Sequence, residues 1–435
     1  HKYGDFKPYI FKSDDKGNTW KPIANNLPIR GSIYSIEEDH IDKNLIFCGT
    51  EFGVFFSPNK GERWKALKNG LPTIAVRDIA IQKRENDLVL GTFGRGFYVL
   101  DDYSALRNIE NAKPTAKASI YPIREALMWE KSMPLGLPGK AFQGDNYYTA
   151  TNLDPEAIIT YYYDENYKSL KEQRQKKEKE FIKSESDTPY PNYSSLYSES
   201  NEEVPQLVFT IKDASENVVK KVFKKPSKGL QRFHWNLRYE EKNPINLNSS
   251  SFYNPFAGAS EGTLVNPGTF TIELGYYHKG VLTSMVSPTS FTVKALDNTV
   301  MPAKDRASKV AFQRKVSTFQ GKIQASQRML SEAENKIKYI KEAIKLVEQP
   351  IDVLSNSVRN IELKIKEISI KLNGDPLKNR LDIQQLPTPS NRVRIIVNEQ
   401  KYSTASPTQT HLESFDIAKE EYGPINEEII ALLKV

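Results

Sequence analysis

Hydrophobic spacing divides the chain into three regimes, of which the last is the most regular. Val316, Phe319, Ile323, Ser326, Leu330, Ala333, Ile337, Ile340, Ile344 and Val347 advance by alternating steps of three and four, the seam of a long bundle helix. Pro350 is expected to end it. A second seam runs through Ile351, Leu354, Val358, Ile361, Ile365, Ile368 and Leu372, and Asn373-Gly374-Asp375-Pro376 supplies a stop. The two helices are predicted to form a hairpin. Thr388-Pro389 opens a shorter helix with Val393, Ile396 and Val397 inward, and Ser406-Pro407-Thr408-Gln409 reads as a capping box with Pro at the first helical position. Phe415, Ala418, Tyr422, Ile425, Ile429 and Leu432 share one face of the final helix, where Gly423-Pro424 predicts a kink or break. Residues 302–435 are therefore expected to be an antiparallel helical bundle, its apolar stripes forming core.

From 114 to 296 the period changes to two. Ala157 to Tyr163, Gln206 to Ile211 and Thr269 to Leu274 alternate as strands. Lys212 to Asn217 reads as a turn into Val218 to Phe223, Gly229 to Arg238 gives a further strand, and Val265-Asn266-Pro267-Gly268-Thr269 turns into the last pair. Short strands at this spacing suggest an immunoglobulin-like or fibronectin-like β-sandwich. A charged insertion at 165–203, dense in Lys and Glu between Lys168 and Lys183, reads as a solvated helix or a mobile loop.

Residues 1–107 repeat internally. Ser13-Asp14-Asp15-Lys16-Gly17-Asn18-Thr19-Trp20 is echoed by Ser57-Pro58-Asn59-Lys60-Gly61-Glu62-Arg63-Trp64, and strand triplets follow each other in matching order. Asp15 can fold its carboxylate onto turn amides, Gly17 supplies a positive φ, and each Trp is expected to plug the gap between neighbouring sheets. The pattern resembles the Asp-box hairpin of sialidase-like and sortilin-like β-propellers. The resemblance marks Ser13, Asp15, Gly17, Thr19, Trp20, Ser57, Asn59, Gly61 and Trp64 as structural, with Asn59 and Arg63 departing from the pattern's Asp and Thr. A propeller needs about four to eight blades, and this segment holds little more than two. Earlier blades preceding His1 are the favoured explanation, packing against another chain the other.

The likeness extends further. Leu90 to Asp102 with Leu106-Arg107, then Ile159-Thr160-Tyr161-Tyr162, Thr210 to Asp213, Arg232 to Arg238 and Val265 to Phe270, resembles large bacterial BNR-repeat, sortilin-like "glycosyl hydrolase" proteins of Bacteroidota type. There a propeller is followed by a sandwich and a helical region. Phe93 stands where that family's Gly-Thr-His-Gly-Arg-Gly version carries His. The resulting fold class is multidomain, mainly β then α: last propeller blades at 1–107, sandwich at 114–296, bundle at 302–435.

Composition sets limits without naming chemistry. A net charge of +7 is spread over the chain, without the clustering of a nucleic-acid groove. No stretch approaches the roughly 20 apolar residues of a membrane helix. The chain opens without Met or an apolar leader and reads as processed or truncated. Cys48 lies in the apolar run Leu45 to Gly49 and reads as a buried structural thiol; as the single cysteine it excludes an internal disulfide framework. His1, His40, His234, His278 and His411 lack metal-ligand spacing, so neither metal nor cofactor is expected.

Glycosidase chemistry needs facing carboxylates, and only Arg95, Asp101 and Asp102 could reach a propeller mouth. No catalytic residue is assigned. The expectation is an exported cell-surface, outer-membrane-associated or periplasmic protein, acting as a binding or assembly module with protein partners and with glycan as a further ligand class. Its rival is a secreted sialidase-like hydrolase whose carboxylates lie in blades outside this chain.

Overall fold

The computed structural model describes residues 3–68, 70–109, 117–130, 154–245, 261–297, 299–348, 352–401 and 403–434. Sheet dominates as far as Ala295 and helix from Arg306 onward. Strands β1 (Phe11–Lys12) and β2 (Lys21–Pro22) form a hairpin around the first turn motif. Strands β3 (Ile33–Glu38), β4 (Ile46–Thr50), β5 (Gly53–Ser57) and β6 (Lys65–Leu67) make an antiparallel meander with the second motif as the β5–β6 turn. A second meander follows in β7 (Val76–Gln82), β8 (Asp87–Thr92) and β9 (Phe97–Leu100).

Alternate residues of β4 enter different cores, as strand geometry requires. Phe47 packs with Leu88, Leu90 and Ile79, whereas Ile46 and Cys48 join Ile10, Leu27 and Trp64. The four-stranded sheet is thus covered on both faces. The sheets stack without closing a ring among the described residues.

The middle region supplies β10 (Ala118–Ile120), β11 (Ala126–Met128), β12 (Ala157–Tyr163), β13 (Gln206–Asp213), β14 (Val218–Lys224), β15 (Gly229–Trp235), β16 (Gly268–His278) and β17 (Val281–Ala295). They sort into a three-stranded sheet, β10-β12-β15, and a five-stranded sheet, β11-β17-β16-β13-β14, in which β11 and β17 run parallel. Ala157, Ile159, Tyr161 and Tyr163 of β12 share one core with Leu207, Phe209 and Ile211 of β13. Tyr161 and Phe209 meet with ring centroids 4.7 Å apart. Within the charged insertion, α1 (Leu170–Lys183) buries no residue, and Arg174 ties it to Glu199 of α2 (Tyr193–Ser200) at 2.6 Å.

The helices are α3 (Arg306–Ile344), α4 (Asp352–Asn373), α5 (Pro376–Arg380), α6 (Pro389–Lys401) and α7 (Gln409–Leu432). Both predicted seams enter their common core, but that of α3 is buried only as far as Ile337. With 39 residues, α3 outruns the 24 of α7, so Ile340, Val347 and Leu354 remain exposed. The helix stops at Ile344, before Val347; Pro350 and Ile351 lie outside the described residues.

Two expectations for α7 are corrected. Its cap is Thr408, not Ser406: the Thr408 hydroxyl accepts from the His411 amide and the His411 ring accepts from the Thr408 amide, leaving Pro407 outside the helix. The helix also runs unbroken through Pro424. The missing N–H removes one backbone bond, while the flanking Tyr422, Ile425 and Ile429 stay buried in the core.

Candidate functional site

The two turn motifs share the bond from the glycine amide to the serine hydroxyl and differ at the hydroxyl bond of Thr19. Gly17 N donates to Ser13 Oγ at 2.7 Å and Gly61 N to Ser57 Oγ at 2.8 Å. Asp15 accepts from the Thr19 amide and hydroxyl, whereas Asn59 accepts from the Arg63 amide. The Thr19 and Ser13 bonds hold the Asp15 carboxyl down at about 2. Gly17 and Gly61 take φ of 92° and 88°, a region that disfavours side chains. Their tryptophans differ. Trp64 is 3% exposed and its Nε1 donates to Ile23 O at 2.7 Å, so it fills the gap between sheet and hairpin. Trp20 is 61% exposed and bonds only its own turn at Gly17 O, which corrects the plug expected there: no described element packs over it.

Strand direction assigns the loops of the two meanders to opposite ends. At one end the β3–β4 loop, the β7–β8 turn and the segment after β9 converge on Asp39. Its side chain is fully buried and paired with Arg107, Nε to Oδ2 at 2.8 Å and Nη2 to Oδ1 at 2.9 Å. The Tyr103 hydroxyl donates to the same carboxylate, the Asp42 amide adds a bond at 2.7 Å, and Arg107 reaches on to Asn86 at 2.6 Å. Burial alone would raise the Asp39 carboxyl; the Arg107 and Tyr103 bonds outweigh it and bring it to about 2. Sequence reasoning did not single out Asp39 or Tyr103. Their partners are more than sixty residues apart, and no local spacing signals the contact.

Asp101 and Asp102 occupy this same end, where the second meander meets the three-stranded β10-β12-β15 sheet. Arg232 of β15 donates to both their backbone carbonyls at 2.6 Å. Burial and the neighbouring Asp87 raise the Asp101 carboxyl, with Arg124 and Arg232 opposing. The Asp102 carboxylate accepts from the Ser104 amide and hydroxyl. Arg95 lies at the opposite end of β9, a strand's length of roughly 13 Å away. The three mouth candidates therefore do not form one constellation. Cys48 is buried, which pushes its thiol up to about 12, and His234 pairs with Glu156 at 2.7 Å. Among the described residues no group of His, Cys, Asp and Glu is arranged to hold a metal ion.

The free end is aromatic. The Arg77 guanidinium lies 3.9 Å from the centroid of the Tyr34 ring and 5.2 Å from that of Phe93. Phe93, Phe97 and, in the β4–β5 turn, Phe52 are exposed, as is Arg95. An arginine stacked between aromatic rings, with further aromatics around it, has the composition of a protein-binding hot spot rather than of a hydrolytic centre.

No family model matches the chain, and no curated protein does. Among solved structures it is similar to the extracellular domain of a hybrid two-component system from B. thetaiotaomicron, with 11% identity over 66% of this chain and 28% of that one, at a TM-score of 0.18. It is also similar to PorZ, a surface component of the type-IX secretion system of Porphyromonas gingivalis, with 14% identity over 60% of this chain and 30% of that one, at a TM-score of 0.15. The chain thus spans less than a third of either structure. Such scores do not establish a shared architecture, and the fold rests on the chain's own strand pairings. No described helix is long and apolar enough to cross a membrane.

Proposed function

We propose that the chain is a binding or assembly module of an exported cell-envelope protein, with a protein partner docking on the free end of the two meanders. In this proposal residues 1–107 are the last blades of a larger propeller, 114–296 an immunoglobulin-like sandwich and 302–435 a supporting bundle. The carrying observation is the Tyr34–Arg77–Phe93 cluster, in which Arg77 and Phe93 are exposed over a half-buried Tyr34. The opposite end supports it indirectly: Asp39–Arg107 and Arg232 anchor the meanders there, so a partner would meet a surface held in place. Preorganisation of this kind lowers the ordering cost of binding.

Hydrolysis by these residues has less behind it, because Asp39 and Asp102 are committed to structural bonds and Arg95 stands apart from both. The test is a photo-crosslinking side chain at position 93 or 97 in the native envelope, with position 13 as control. A defined protein adduct from 93 and 97 but not from 13 supports the proposal. Equal adducts from all three positions, or none, would sink it.

A further inference from the structure

A cavity of about 340 Å³ opens between the sandwich and the helices, away from the aromatic end. Its apolar lining comes from Val310, Phe312, Val316 and Ile396, and charged residues line it as well, Glu241, Glu261, Asp297, Arg306 and Lys401 beside Glu130, Arg238 and Lys309. Glu130, just beyond β11, approaches Arg238 at 3.6 Å, too far for a hydrogen bond. Arg238 is meanwhile held by Glu261 at 3.2 Å and by the Gly262 carbonyl. Lys309 of α3 donates from its ammonium to the backbone carbonyl of Ser403. No ion pair joins Glu130 to Lys309 among the described residues, although both line the same space.

Both groups are desolvated, and the attraction between them, with that of Arg238 for Glu130, offsets the burial only in part. Burial raises the Glu130 carboxyl and lowers the Lys309 ammonium, each toward its neutral form. Two further acceptors belong to residues of the wall: Gln400 Oε1 and Asn266 Oδ1 are buried with no hydrogen-bond partner. Unmet acceptors on residues that line the cavity together with a carboxylate call for a ligand rich in donors. The Lys309 and Arg238 cations call for an acidic group on the same ligand, and the apolar side chains for a hydrocarbon body.

We infer that this cavity binds a small zwitterion with an apolar side chain, of the class of an apolar α-amino acid. Its ammonium is received by Glu130 and the wall carbonyls, its carboxylate by Lys309 and Arg238, and its side chain by Val310, Phe312, Val316 and Ile396. One molecule would supply a counter-charge to each of the two desolvated groups. The site is independent of the aromatic end, and either can fail without the other.

Titration calorimetry of the whole chain with L-phenylalanine and L-leucine tests this, alongside N-acetyl-L-phenylalanine, which lacks the ammonium, and L-phenylalaninamide, which lacks the carboxylate. Binding of the amino acids, with at least a tenfold loss for each analogue, is expected. Glu130→Gln should weaken the amino acids while leaving the N-acetyl compound unchanged, and Lys309→Met should do the same with respect to the amide. Absence of binding by both amino acids, or equal affinity for all the compounds, would overturn the inference. The analogue series reads the wild-type protein, so its outcome stands even if a variant fails to fold.

Discussion

Arg232 Nη2 donates to the backbone carbonyl of Asp102 at 2.6 Å, joining strand β15 to the chain that leaves the last meander strand. Its Nη1 takes the Asp101 carbonyl at the same distance, a fork that lysine does not reproduce. Arg232→Met is expected to leave both carbonyls unpaired, at a cost of about 3 kcal/mol. Scanning calorimetry should then resolve a transition for the meanders separate from that of the β10–β17 sheets. A single transition at the wild-type midpoint would show that the fork does not couple them.

Acid should loosen the anchored end through Asp39. Its folded carboxyl, at about 2, lies below the ordinary carboxylate range, so its contribution is complete above about pH 4 and is lost as pH falls toward 2. The shift corresponds to about 2 kcal/mol. Denaturant unfolding of Asp39→Asn should be less pH-dependent over that window than the wild type. An equally steep profile in the variant would assign the acid sensitivity to other groups.

The two motif tryptophans should behave oppositely. Trp64→Ala removes a side chain from a closed core and is expected to cost about 3–5 kcal/mol, whereas Trp20→Ala should change stability by less than about 1 kcal/mol. Chemical denaturation of both variants makes the comparison. Equal costs would mean that Trp20 is covered in solution.

Cys48 should resist thiol reagents in the native protein at pH 8, because its buried thiol is raised to about 12. Labelling followed by mass spectrometry is expected only in denaturant. Rapid native labelling would contradict the closed core around Phe55 and Trp64.

How far the sequence reveals this molecule depends on whether an element is shaped by its own residues. The seam from Val316 to Ile337, the β-branched and aromatic run from Ile158 to Tyr163 and the Ser13–Gly17 turn are local, and the residues themselves signal them. Thr408 outcompeted Ser406 as a cap through a side-chain bond from His411, a residue outside the usual Glu or Gln at that position. Pro424 was tolerated because tertiary packing on Tyr422 and Ile425 outweighs one lost backbone bond. The Asp39–Arg107 pair and the Tyr34–Arg77–Phe93 stack bring together side chains from separate strands and loops, and residue types alone do not announce them.

The most direct measurement is the native mass of the assembly released gently from envelopes carrying either the wild type or Arg77→Glu. Reversing that charge should disrupt the aromatic stack at an exposed position, without touching the cores or the Asp39 anchor. The expected result is a wild-type chain in a larger stoichiometric assembly and an Arg77→Glu chain that is folded but released on its own. Wild type and variant at the same mass, whether both assembled or both alone, would contradict the assignment of this end as the binding surface.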